Sequence, residues 1–302
     1  MATLLEFQPL LEGALRQIAQ DIDAAFDTVL HLPGDGRDRL FAAMRHAAIG
    51  GGKRLRPLLV RASADLFGVP RSYVLQAGLA IESLHVQSLI HDDLPCMDDD
   101  DLRRGRPTVH CAFDEATAVL AGDALQALAF ELLSDPATHP DGNVRSLLVA
   151  RLARCAGGMG MAGGQMLDLL PPSADDDERM IVQLQSLKTG ALIGWAVEAG
   201  AILAQAEEDE RTRLCNYAQC VGLAFQIADD LLDVEGCIDK VGKRLGKDQA
   251  QQKATFVSLL GTARARDRAN ELADKAIGHI APFGSEADLL REIAIFAVQR
   301  DR

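Results

Sequence analysis

Between His91 and Arg106 the chain reads HDDLPCMDDDDLRRGR: Asp92, Asp93 and Asp98 to Asp101 lie within ten positions, and Arg103, Arg104 and Arg106 follow at once. Carboxylates at that density repel one another unless cations sit among them. Hard divalent ions with oxygen ligands do this best, and Mg²⁺ also brings its own waters and substrate phosphates. A charge run by itself is commonly a solvated loop. Here the preceding LQAGLAIESLHVQSLI is apolar at helical spacing, so Asp92 and Asp93 are expected to close a mostly buried helix. Pro95 then disfavours helix at Leu94 and turns the chain. Carboxylates ending an apolar helix, with arginines beside them, read as a site.

A second acidic group lies in NYAQCVGLAFQIADDLLDVEG, where Gln226, Asp229, Asp230 and Asp233 recur at three- and four-residue steps. On a helix this puts Asp229 and Asp233 one turn apart on one face, with Gln226 just below. Such like pairs repel by about a few tenths of a kcal/mol unless neutralised. Their neighbours Val221, Leu223, Phe225, Ile227, Leu231 and Leu232 are apolar, unlike undirected surface acidity. The plain alternative is a helix whose polar face carries three aspartates.

The elements that must position these groups are helices. Helical spacing covers residues 4–30, 38–46, 57–67 (with Pro57 suited to the first position), 71–93, 113–133, 143–155, 178–205 and 210–234. A glycine cluster fills 157–164, a polar, Gly-punctuated segment runs from 235 to 252, and closing helices are expected at 254–278 and 286–300. Alternating strand patterns are almost absent. The expectation is one all-α domain over residues 1–302, a helical bundle. The 302 residues are 48% hydrophobic, ample for a core, and the net charge of −13 argues against non-specific nucleic-acid binding. Cys96, Cys111, Cys155, Cys215, Cys220 and Cys237 form no CxxC pair, so a thiolate zinc site is not expected and they read as reduced thiols of a cytoplasmic protein. The N-terminus shows no secretory pattern, and no uninterrupted apolar run reaches the roughly 18 residues of a membrane span.

The DDxxxxD of Asp92–Asp98 with Arg103-Arg104-Gly105, and the DDxxD of Asp229–Asp233, together resemble the two aspartate-rich motifs of the all-trans prenyl diphosphate synthases. Among these, the chain resembles the bacterial farnesyl and geranylgeranyl diphosphate synthases. The likeness runs from GGKRLRP near residue 51 to KATF at 253–256. It implies an isoprenoid-synthase helical fold around a central cavity, a homodimer, and isopentenyl and allylic diphosphates as substrates. The implied reaction ionises the allylic diphosphate, adds the double bond of isopentenyl diphosphate to the cation and loses a proton. Negative charge grows on the departing diphosphate, so metals held by both aspartate groups act as Lewis acids. By the resemblance, Asp92 and Asp98 hold metal from one side and Asp229 with Asp233 from the other. Three Mg²⁺ are implied, with Mn²⁺ an alternative. Asp93, Asp230 and Asp99 to Asp101 become supporting or solvated residues.

The basic residues then divide between two anions. Lys53 and Arg56, after three glycines and at a helix start, suit diphosphate capture, because backbone N–H groups and the helix dipole assist them. By motif match they resemble the isopentenyl diphosphate site, with His85 and Arg104. Arg103, Lys188 and Lys253 resemble the groups on the allylic diphosphate. His85 lies two turns before Asp92 on the same face, although a lone histidine on an apolar helix is commonly structural. Lys188-Thr189 sits in an apolar helix where an unpaired ammonium is costly, and a diphosphate resolves that cost. Thr189 and Gln226 oxygens can face the carbocation. Lys243, Arg244 and Lys247 lie on a loop that can close over diphosphate and exclude water, or be merely solvated. Gln165 is a further pocket candidate, and Met159, Met161 and Met166 read as packing residues.

Other readings are weighed on the same residues. A terpene cyclase needs aromatic rings around moving cationic charge, yet this chain is 4% aromatic and keeps a second diphosphate site. An HD-type phosphohydrolase at His91-Asp92 needs further ligating histidines that the spacing does not supply. A non-catalytic subunit of a prenyl synthase heteromer loses aspartates from one motif, and both are complete here. Product length turns on the pocket floor along the helix before Asp92. The resembled farnesyl synthases carry an aromatic residue five positions before the motif. Here Gln87 stands there, with Ser88 beside it and Leu84 further down, which admits C20 beside C15 unless the 113–133 helix or a partner subunit closes the tunnel.

Overall fold

The computed structural model describes residues 8–170, 178–235 and 255–299. Most of them are helical, and one two-stranded ribbon joins two of the helices. The chain divides into two compact units: an N-terminal unit of Glu12–Arg61 and Pro70–Val149, and a C-terminal unit drawn from Met1–Leu11, Ala62–Val69 and Ala150–Arg302.

In the N-terminal unit, α1 spans Gln8–Val29, α2 Asp38–Ala48, α3 Leu55–Asp65 and α4 Arg71–Asp92. Both α1 and α3 extend beyond this unit's residues. Helix α3 begins two residues before the expected Pro57. A proline is tolerated there because the first turn's N–H groups have no intrahelical partner. Helix α4 is apolar almost all round, with Ala77, Ile81, Leu84 and Ile90 buried on different faces, as a central helix requires. It packs against α6 (Glu115–Ser134), whose Ala118, Ala121 and Leu125 are buried. Asp114 caps α6 by accepting from the Thr117 N–H at 2.7 Å. Helix α6 is long and apolar enough, by length and composition, to cross a membrane, although Asp123 interrupts it.

Between α4 and α6 lie β1 (Leu102–Arg103), β2 (Arg106–Pro107) and the single turn α5 (Val109–Ala112). The ribbon pairs Leu102 with Pro107 and Arg103 with Arg106 across a two-residue loop, Arg104-Gly105. Both loop residues have positive φ, 54° and 73°, the type I′ geometry that matches strand twist and favours glycine at its second position.

The C-terminal unit holds the end of α7 (Gly142–Ala156), then α8 (Met161–Asp168), α9 (Glu178–Gln185), a π-helical turn at Ser186–Gly190, α10 (Ala191–Leu203) and α11 (Glu208–Glu235). They are followed by α12 (Phe256–Leu260), α13 (Thr262–His279), a 3₁₀ turn and α14 (Asp288–Gln299). Helix α11 packs on α10, α13 and α14, and the buried Tyr217 hydroxyl donates to the Leu290 carbonyl at 2.7 Å. The expected continuous helix over 178–205 is thus broken by the π turn. Met159 and Met166, expected to pack, are 71% and 57% exposed.

Candidate active site

The first aspartate motif takes its shape from the end of α4. A helix leaves its last carbonyls without partners, and the turn 93–100 folds back to supply them. Asp93 N–H donates to the Leu89 carbonyl, Asp98 N–H to the Asp92 carbonyl at 2.8 Å, and Asp100 N–H to the Asp93 carbonyl. The four-residue interval between Asp93 and Asp98 is therefore wrapped so that the backbones of Asp92 and Asp98 meet. Asp93 points elsewhere: it is 3% exposed, and its Oδ1 accepts from Arg103 Nε at 2.9 Å and from Arg103 Nη2. Burial pushes the Asp93 carboxyl up, against the lowering by Arg103. Asp93 thus holds Arg103 in place, and Asp100 stands 3.4 Å from the same guanidinium.

The glycines before Lys53 act through a close approach. A Cβ on Gly52 would lie 2.6 Å from the Arg104 guanidinium carbon, so the ribbon's arginine lies against the glycine backbone. Arg54, a residue sequence reasoning passed over, anchors the loop from inside. It is 2% exposed and takes positive φ (51°). Its Nη1 donates to Glu82 Oε1 at 2.7 Å and its Nη2 to Asp23 Oδ1 at 2.6 Å. Lys53 is left exposed and Arg56 half-buried at the start of α3. His85, one turn beyond Glu82 on α4, has its pKa driven well below the ordinary histidine value by lost hydration and the charges of Arg56, Arg104, Arg54 and Arg103. The ring is neutral among fixed cations. Of the expected isopentenyl diphosphate group, Arg56, His85 and Arg104 therefore share one electrostatic neighbourhood.

The expected floor residues lie along α4. Leu84 is fully buried, and Ser88 donates to the His85 carbonyl at 2.8 Å. Gln87 is 8% exposed, and its Nε2 stands 3.1 Å from His91 Nδ1. His91 Nε2 in turn lies 3.1 Å from the Val119 carbonyl of α6, which only accepts. His91 therefore carries its proton on Nε2, and Gln87 donates to Nδ1. The Gln87 carbonyl oxygen is buried with no hydrogen-bond partner among the described residues.

In the C-terminal unit, Asp229 and Asp233 sit half-exposed on α11. Asp230 is not solvated: it is 6% exposed and its Oδ2 accepts from the Phe256 N–H at 2.9 Å, fixing the start of α12. Gln226 donates from Nε2 to Gln185 Oε1 at 2.6 Å, next to the π turn that carries Lys188 and Thr189. Lys188 does not need a ligand to balance its charge, contrary to the expectation, because its Nζ lies 2.8 Å from Asp168 Oδ2. Asp168 was missed in the sequence, twenty residues from its partner. The usable signal is Gly163-Gly164, since a Cβ on Gly164 would stand 2.2 Å from the Lys188 backbone nitrogen. Gln165 has a buried amide nitrogen without a partner among the described residues. Lys243, Arg244, Lys247 and Lys253 lie outside the described residues.

An all-α chain with two aspartate motifs on helix ends, and arginines gathered around a neutral histidine, has the form of an isoprenoid-synthase-type enzyme that handles diphosphates. The comparisons name the family: the polyprenyl synthetase family model matches residues 37–293, and the chain belongs to that family. The farnesyl diphosphate synthase of Escherichia coli (strain K12) is 42% identical over 99% of this chain and its own whole length. The chloroplastic geranylgeranyl pyrophosphate synthase of Catharanthus roseus is 39% identical over 87% of this chain and 74% of its own. A crystal structure described as an FPP/GFPP synthase from Zymomonas mobilis matches with a TM-score of 0.89 and 54% identity, over 96% of this chain and 99% of that one. The chain is a prenyltransferase that elongates all-trans prenyl diphosphates.

Proposed function

We propose that this enzyme joins isopentenyl diphosphate head to tail to dimethylallyl, geranyl and farnesyl diphosphates, making farnesyl diphosphate, geranylgeranyl diphosphate or both. The observation that carries the reading is His85, kept neutral by lost hydration and by the charges of Arg56, Arg104, Arg54 and Arg103. Fixed guanidinium groups around an uncharged hydrogen-bonding ring suit a multiply charged anion held at constant charge. Lys53, Arg56, His85 and Arg104 form the isopentenyl diphosphate site, for which a terpene cyclase has no use.

The metal fits the donors. Asp92 and Asp98, whose backbones are joined by one hydrogen bond, offer hard carboxylate oxygens, a donor type suited to Mg²⁺ and to Mn²⁺. We assign metal ligation to Asp92 and Asp98 and to Asp229 and Asp233, which would hold three Mg²⁺. When bound, the ions supply Lewis-acid stabilisation of the charge on the leaving group. Arg103, steadied by Asp93, and Lys188, steadied by Asp168, hold the allylic diphosphate, and Lys243 and Lys253 join them. As the C–O bond breaks, Thr189 and the Gln226 carbonyl oxygen face the allylic cation. Gln226 spends its amide nitrogen on Gln185, which leaves the carbonyl oxygen as the group we assign to the positive charge. The double bond of isopentenyl diphosphate, held by Lys53, Arg56, His85 and Arg104, then attacks, and proton loss completes the product.

We further read residues 1–302 as a single catalytic domain, supported by a family match that spans both compact units. We read the chain as a cytoplasmic homodimer with no membrane span, and exposed Val119 and Leu120 on α6 offer the apolar surface a second copy would cover. The test is direct. Incubation with Mg²⁺, isopentenyl diphosphate and each allylic diphosphate should give chains lengthened by five carbons. Cyclic hydrocarbon would reassign the chain as a cyclase, and inertness would make it a subunit.

A further inference from the structure

The ribbon after the acidic turn brings three different metal-binding side chains together outside the residues assigned above. Leu102 pairs with Pro107, so Asp101 and Thr108 face each other at the open end of the hairpin, tied by Thr108 N–H to the Asp101 carbonyl at 3.0 Å. His110 and Cys111 follow in α5. Cys111 Sγ lies 3.4 Å from His110 Nε2 and 3.6 Å from Asp101 Oδ1. One ligand atom from each of the three residues falls within 4.8 Å of the others.

We propose that Asp101, His110 and Cys111 bind a Zn²⁺-class cation, with a water in the fourth position. Zinc bonds of about 2.3 Å to sulfur and about 2.0 to 2.2 Å to nitrogen and oxygen, at tetrahedral angles, require S···N and S···O separations of roughly 3.5 Å. The two sulfur distances already have that length. A thiolate with an imidazole selects Zn²⁺ or Co²⁺ over Mg²⁺, which keeps this site chemically separate from the aspartate motifs. The histidine is also prepared for ligation. Thr108 is 2% exposed, and its hydroxyl lies 3.2 Å from His110 Nδ1. With the Nδ1 proton donated to that hydroxyl, Nε2 is left as the ligating atom on the side of the sulfur. Binding converts the Cys111 S–H to a thiolate and releases that proton to solvent. The bound ion would close the open end of the hairpin whose strand and loop carry Arg103 and Arg104.

Co²⁺ serves as the probe, added to the Mg²⁺-saturated full-length enzyme. The proposal expects one equivalent of Co²⁺ to give a sulfur-to-cobalt charge-transfer band, absent in Cys111→Ser and unchanged in Cys96→Ser. Thr108→Val should weaken Co²⁺ binding about 10- to 100-fold. In parallel, Zn²⁺ should slow alkylation of Cys111, read by peptide mass spectrometry. Cys111→Ser should keep wild-type elongation in Mg²⁺, which shows that it is folded. No band in the wild type, a band that survives Cys111→Ser, or Cys111 alkylation indifferent to Zn²⁺ would each overturn the site, and none of these bears on prenyl elongation.

Discussion

Arg54 and Glu82 form an ion pair of 2.7 Å in which each side chain is 1% exposed. It joins the glycine loop that carries Lys53 to the helix that carries His85 and Asp92. Removing one partner strands the other's charge in the interior, at a cost of about 3–5 kcal/mol. Asp23 keeps part of the Arg54 charge paired, so Glu82→Ala should fall toward the lower end. Urea unfolding checks this, and a midpoint equal to wild type would remove the pair as an anchor.

His85 should not titrate where histidines ordinarily do. Its folded pKa is depressed well below 6.5, so above that value the ring is neutral in both folded and unfolded chains. As pH falls below 6.5 the unfolded chain gains a proton that the folded one refuses, and this contribution to stability is progressively lost. The His85 ring resonances should stay flat from about pH 8 down to about pH 6. The KM for isopentenyl diphosphate should show no inflection from this group. An ordinary titration curve at His85 would contradict the cluster of cations around it.

Gln87→Tyr should shorten the product. The ring would occupy space now held by the Gln87–His91 contact and would retire the buried carbonyl oxygen left without a partner. Sizing the prenyl products is the measurement, and an unchanged distribution would take Gln87 out of the floor.

Gly164→Ala should damage stability and turnover together. The new methyl would meet the Lys188 backbone at 2.2 Å, and backbone cannot swing aside as a side-chain tip can. Overpacking of this kind costs about 1–3 kcal/mol. Because it displaces Lys188, kcat should fall more than the loss of folded protein explains. An active-site titration alongside thermal unfolding separates the two effects.

How legible these features were depended on whether the cause was local. The end of α4 at Asp92 was readable, because an apolar run, two aspartates and Pro95 all act within a few residues. The all-α class and the position of α11 followed from helical spacing in the same way. Asp168 was not readable, since its meaning lies in Lys188, twenty positions on and in another helix. Asp230 looked like its neighbours Asp229 and Asp233, and only the Phe256 N–H it accepts from sets it apart. Arg54 was hidden for a similar reason: its partners Glu82 and Asp23 come from two other helices. The methionines misled because apolar character says nothing about which side a turn or a short helix presents to solvent. Met159 and Met166 face solvent.

The five-residue π turn at Ser186–Gly190 carries a surplus residue relative to regular α-helix. Such an insertion rotates everything after it by about 100° about the axis. Helix α10 is therefore out of phase with α9, and the stripe that packs one helix does not continue onto the other. Deleting one residue between 186 and 190 would let the segment relax into ordinary helix. It would also carry Lys188 and Thr189 to a different side, so the position of these groups rests on a local miscount that the rest of the chain keeps in place.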